Sequence, residues 1–154
     1  MRYYIDCEFD GHNGPLLSFA IVREDDPWTK SLHVTVRALA YDDWVLHNVV
    51  SVMDEHESAT DVSNVHPNHV GGFLRRFISD DDSPVIIADS PVDIGRFCQA
   101  LMTNDSGDYC PNDIDLIEFE VHDISAYPTD LPRAVQHNAW WDAMALREKL
   151  IPSD

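Results

Sequence analysis

Two short runs and one single residue of this 154-residue chain carry side chains that could do chemistry together. Asp6 and Glu8 stand in Tyr3-Tyr4-Ile5-Asp6-Cys7-Glu8-Phe9, a run that is aromatic, β-branched and short, as a strand is. Side chains alternate across a strand, so Asp6 and Glu8 share one face and Cys7 takes the other. Two carboxylates on one face at the end of an apolar strand repel each other. A hard divalent cation between them removes the repulsion and offsets their desolvation. The plain alternative is a pair of solvated acids on an edge strand.

Asp93 follows Ser90-Pro91-Val92, which reads as an N-cap, a proline at the first helical position and an acidic third position. That helix comes after the apolar run Pro84–Ala88, and ligands gather at the C-terminal ends of such strands in α/β sheets. Ordinary capping also accounts for an aspartate here, and Asp89, at the strand end, rivals Asp93 for any metal role. In His137-Asn138-Ala139-Trp140-Trp141-Asp142, His137 falls at or just before a helix start. A histidine held by non-helical backbone can swing over a metal site that Asp142 helps to build. The plain alternative is a surface histidine, with Asp142 paired locally to Arg147.

These residues need a scaffold. Arg2–Phe9, Pro15–Arg23 and Ser31–Val36 read as three strands, joined at the Gly/Asn-rich turn 10–14 and at Asp25-Asp26-Pro27, an antiparallel meander. Tyr41–Met53 is helix-like, with Trp44, Val45, Val49 and Val52 at roughly helical spacing. Glu55–Val65 is polar and reads as a loop. Pro67–Ile78 reads as a helix weakened by Gly71-Gly72. A strand at Pro84–Ala88, a helix to about Met102, a loop at Thr103–Asp113, a strand at Ile114–Val121 and a helix at Gln136–Leu150, ended by Pro152, complete the order. The expectation is one α/β domain over residues 1–154, with a mixed five-stranded sheet.

Composition bounds the function. Hydrophobic residues make up 44%, as in a globular chain rather than a disordered one. Apolar runs such as Val85–Ala88 are too short for a bilayer span, and a carboxylate as early as Asp6 excludes a secretory signal, so a cytoplasmic location is expected. Cys7, Cys98 and Cys110 form an odd set without C-x-x-C, which reads as free thiols. The formal net charge is −18, from 28 Asp and Glu against 10 Lys and Arg. Nucleic-acid binders are normally basic, so this balance argues against that class. A high-salt source would reconcile the two, since the screening length falls to about 3 Å in molar salt.

Asp-x-Glu on the first strand, an Asp between a strand and a helix, and His-x4-Asp near the C-terminus together resemble the DEDDh exonuclease family of the RNase H-like superfamily. Proofreading exonucleases, ribonuclease T and oligoribonuclease belong to it. His137–Ala143 is similar to the third family motif, where Ala after His and Ala after Asp are common. Ala88–Ile94 departs from the second, where Asn or His often stands four residues before the Asp and an aromatic one before; here these are Asp89 and Val92. Ile5–Phe9 lacks the usual Thr or Gly after Glu, and Phe9 makes it look like small stand-alone bacterial and phage exoribonucleases. The resemblance covers residues 2 to 150.

That resemblance implies an RNase H-like mixed five-stranded sheet with helices on both faces. It implies two Mg²⁺ or Mn²⁺ ions held by Asp6, Glu8, Asp93 and Asp142, with His137 as general base. The activity implied is 3′–5′ hydrolysis of single-stranded nucleic acid, RNA slightly favoured over DNA. Phe9 is a candidate to pack on the terminal base or sugar, with a core role as the alternative. Arg75, Arg76, Arg96, Arg133 and Arg147 are available for phosphates but do not cluster, so a short substrate held by its 3′ end is expected. Small members often dimerise, so a homodimer is one form the resemblance allows. Two rivals are a catalytically silent nucleic-acid- or protein-binding module on the same fold, and an acidic interaction protein whose Asp80-Asp81-Asp82 imitates phosphate. His66, His69, Cys110 and His122 read as solvated loop residues, since no C-x-x-C or His-Glu-x-x-His accompanies them.

Overall fold

Tyr3, Ile5 and Cys7 of the first strand, β1 (Arg2–Phe9), are buried in one apolar cluster and Tyr4 in another, so β1 is covered on both faces. That is the signature of a central strand. The computed structural model describes residues 1–125 and 127–151. The further strands are β2 (Leu16–Arg23), β3 (Ser31–Val36), β4 (Thr60–Val65), β5 (Val85–Ala88) and β6 (Glu118–Val121). They form one mixed sheet in the order β4-β3-β2-β1-β5-β6. The expected meander is present: β2 runs antiparallel to both β1 and β3. On the other side β5 lies parallel to β1, and β6 parallel to β5.

The sheet has six strands rather than five, because the segment read as the polar loop Glu55–Val65 contributes β4, parallel to β3. Four of the six β4 residues are exposed, and Val62 and Val65 pack against the core. An edge strand keeps polar residues toward water, so its composition hides it.

Helices α2 (Val70–Ile78) and α3 (Pro91–Leu101) cover one face, where Leu74, Phe97 and Leu101 join Tyr3, Ile5 and Phe19. Helix α4 (Ala139–Leu150) covers the other, setting Trp140, Trp141 and Met144 among Tyr4, Ala20, Val22 and Ile87. The chain is therefore α/β with helices on both faces, as expected. Boundaries moved where caps decide them. Asn138 Oδ1 accepts from the N–H groups of Trp140 and Trp141, so α4 begins at Ala139 rather than Gln136. Pro152, expected to end it, lies outside the described residues. Helix α1 (Asp43–Asn48) is shorter than Tyr41–Met53 and continues as a 3₁₀ turn at Val50–Val52. Val45 and Val49 are buried, but Trp44 is 56% exposed. The strand expected over Ile114–Val121 starts only at Glu118, after a 3₁₀ turn at Pro111–Ile114. All three cysteines are free. No helix among the described residues is long and apolar enough to cross a membrane.

Gly71-Gly72 does not break α2, and Gly71 has a packing reason. A Cβ there would lie 2.0 Å from the backbone oxygen of Ala100, so glycine lets α2 and α3 approach. Gly71→Ala is expected to destabilise by about 1–3 kcal/mol, as overpacking does, read as a lower urea midpoint. An unchanged midpoint would mean that the two helices are not held this closely.

Candidate metal centre

The end of β5 and the starts of α3 and α4 meet beside the end of β1. Asp6 and Glu8 leave its last turns of pleat, Asp89 follows β5 directly, and Asp93 and Asp142 stand in the first turns of α3 and α4. One carboxylate oxygen from each of Asp6, Glu8 and Asp142 lies within 4.8 Å of the other two. Asp6, Asp89 and Asp93 form a second such triad, so Asp6 belongs to both. All of them, with His137 and Phe9, line one cleft of about 280 Å³. The predicted residues are thus brought together, and Asp89 joins Asp93 rather than replacing it.

Local structure explains each placement. Ser90 caps α3, its Oγ accepting from Val92 N at 3.1 Å. Asp93 turns instead toward β1, where its carboxylate accepts from the Cys7 thiol at 2.8 Å and from the Cys7 backbone N–H. It is 4% exposed, so the plain capping role does not describe it. Asp142 accepts from the backbone N–H groups of Asn138 and His137. His137 has φ of +59°, so it lies outside the helix, as expected, and in the left-handed region that few non-glycine residues occupy. Arg147 donates to the backbone oxygen of Glu24 at 2.8 and 2.6 Å and is not spent on Asp142.

Aromatic residues surround this cleft. The Trp44 ring meets the His137 ring edge-on at 5.0 Å between centroids. Tyr127, 62% exposed, lines the same cleft. Phe9 packs partly into the core, and the Arg96 guanidinium sits 4.9 Å over its ring. Sequence reasoning missed Tyr127 as a wall residue and Trp44 as the ring packed against His137. Nothing local signals them: Trp44 stands at helical spacing with Val45 and Val49, and Tyr127 belongs to no motif.

No protein-family model matches the sequence, and no curated protein matches it. The site therefore has to be read from its own chemistry.

The carboxyls are electrostatically uncomfortable. Burial, then the charges of Asp93 and Asp142, push Asp6 well above the ordinary carboxyl range. Burial and the charges of Asp142 and Asp93 raise Glu8 to about 8. Burial also raises Asp142 to about 7 and Asp93 to about 6, and raises Asp89. A crowded set of carboxylate oxygens with no lysine or arginine among the described residues lining the cleft suits a hard divalent cation such as Mg²⁺ or Mn²⁺. Each group binds its proton more tightly folded than unfolded, so its favourable contribution is complete below about pH 4 and is lost as pH rises through the folded value. In metal-free buffer the melting temperature is expected to fall between pH 4 and pH 8. Mg²⁺ or Mn²⁺ should raise it more at pH 8 than at pH 5. Asp142→Asn should raise the metal-free value at pH 8 by roughly 2–5 °C and blunt the metal response. Differential scanning calorimetry checks this, and a melting temperature flat across that range would refute it.

Proposed function

We propose that this protein is a metal-dependent 3′–5′ exonuclease of the DEDDh type, acting on short single-stranded nucleic acid. The sharing of Asp6 between two carboxylate triads supports this most strongly. Phosphodiester hydrolysis with two cations wants one ligand common to both, with separate ligands on either side. Glu8 and Asp142 would hold one cation with Asp6, and Asp89 and Asp93 the other. Two cations bound there would supply phosphate neutralisation and an acidified water.

The chain's own residues account for the remainder. His137 lines the cleft on non-helical backbone, so a ring nitrogen can take the proton of the attacking water. Trp44 against its ring limits how far the imidazole turns. Two N–H donors fix Asp142, and two Cys7 donors fix Asp93, so neither ligand needs to reorganise when substrate arrives. Trp44 and Tyr127 offer exposed rings on which an unpaired base can stack, a role for which they are better placed than the half-buried Phe9. The strand order supports the RNase H-like reading, with an antiparallel meander on one side of β1 and parallel strands on the other. Unbonded cysteines support a reducing, cytoplasmic compartment.

A silent binding module on this fold would have no reason to keep five mutually repelling carboxyls in one cleft. The test uses single-stranded RNA and DNA oligonucleotides labelled at the 5′ end, with Mn²⁺ or Mg²⁺, over a range of salt. Shortening from the 3′ end, stopped by chelator and by Asp6→Ala, is expected. His137→Ala should slow it by about 10²-fold or more, the usual worth of a general base. Intact oligonucleotides at every salt concentration would remove the catalytic reading.

A further inference from the structure

A second cluster lies away from the cleft, between β3 and β4. His33 of β3 stands opposite Asp61 of β4 in the parallel register, and His56 comes from the segment leading into β4. His33 Nδ1 and His56 Nε2 each lie 3.4 Å from the same oxygen, Asp61 Oδ1. The two imidazole rings are 4.1 Å apart between centroids. One ligand atom from each residue lies within 4.8 Å of the other two.

We propose that His33, His56 and Asp61 form a binding site for a borderline transition metal, Zn²⁺ above all, distinct from the carboxylate centre. A 3.4 Å separation is long for a hydrogen bond to a carboxylate. It is the separation that tetrahedral zinc imposes, because bonds of about 2.1 Å place ligand atoms about 3.4 Å apart. Two imidazole nitrogens and one carboxylate, with water in the fourth position, are an ordinary zinc donor set and a poor one for Mg²⁺. The His33 side chain is fully buried, and its Nε2 has no hydrogen-bond partner among the described residues.

Two adjustments accompany binding. Zinc on Nε2 of His56 puts the proton on Nδ1, which gives up the 3.3 Å contact from Ser58 N–H. Zinc on Nδ1 of His33 leaves Nε2–H without an acceptor, so coordination must outweigh that loss. The consequence reaches the cleft. Residues just before His56 dock on the start of α4: Asn138 Nδ2 donates to Val52 O at 2.8 Å and Met53 O at 3.1 Å, and Trp141 Nε1 donates to Glu55 O at 2.7 Å. A metal tying His56 to β3 and β4 would fix the segment that holds the helix end carrying Asp142.

The site is independent of the exonuclease reading and is tested without substrate. The full chain is stripped with chelator, then titrated with Zn²⁺ by calorimetry and with Co²⁺ by visible absorption. Wild type and Asp6→Asn/Asp142→Asn are compared, so that the carboxylate centre is excluded. One tight Zn²⁺ per chain in both, and intense tetrahedral Co²⁺ bands, are expected. Asp61→Asn, at a side chain 43% exposed and so safe for folding, should weaken Zn²⁺ by at least about 10-fold. His56→Gln should do the same, while the Mg²⁺-induced rise in melting temperature is kept. Weak octahedral Co²⁺ bands, or Zn²⁺ affinity unchanged in Asp61→Asn, would overturn the site.

Discussion

Five carboxyl groups crowded into one half-buried cleft set the terms for the rest of this structure. Such a cluster pushes its own walls apart, so each wall must be held by something else. β1 is held by apolar clusters on both faces, α3 by its contact with α2 at Gly71, and α4 by two buried tryptophans. Asp93 and Asp142 sit in the first turns of helices, where the dipole and unpaired N–H groups favour negative charge. The fold thus places acids where backbone electrostatics tolerate them, and spends stability on a site that is strained when its oxygens face only one another.

The tolerance is uneven, and the unevenness is informative. Asp93 has two donors from Cys7, and Asp142 has two backbone donors, which partly offset their burial. The influences on Asp6 all act in one direction: burial and the charges of Asp93, Asp142, Glu8 and Asp89 all raise it. The influences on Glu8 also all raise it, so Asp6 and its strand neighbour are the carboxyls whose charge the protein does least to accommodate. On the proposed reading, a cation on either side of Asp6 would supply what the backbone withholds. Asp93 and Asp142 differ in that their geometry is already fixed by the protein.

Local pattern made much of this legible. Alternation in Tyr3–Glu8 put Asp6 and Glu8 on one face, and Ser90-Pro91 marked the helix start that carries Asp93. The same alternation and capping rules failed where tertiary context decides. Thr60–Val65 is polar because it is an edge strand, so its pairing with β3 was invisible in composition. Asp89 could be named only as a rival, because whether it and Asp93 face the same point depends on how a strand end meets a helix start. His33 and Asp61 are cross-strand partners 28 residues apart, and no motif spacing links them. Trp44 looked like a core residue because helical periodicity continued across a segment that in fact tightens into a 3₁₀ turn.

Net charge limits what such a cleft can hold. At −18, the surface opposes a polyanion at any distance that salt does not screen, about 10 Å at 0.1 M. Much of the positive charge is already committed. Arg2 pairs with Glu24 and Glu120, Arg23 with Asp25, Arg133 with Glu57, and Arg147 with Glu148. Arg96, near the cleft, donates to the backbone oxygen of Gly14 at 2.7 Å, lies over Phe9 and draws Asp93 downward through its charge. On the proposed reading, attraction therefore comes from bound cations and aromatic rings, both short in range. Such forces grip a chain end and gain little from the nucleotides beyond it. On that same reading, an acidic shell around a cleft holding cations would favour substrates whose charge is small away from the reacting end, which is what a short single strand offers and a long duplex does not.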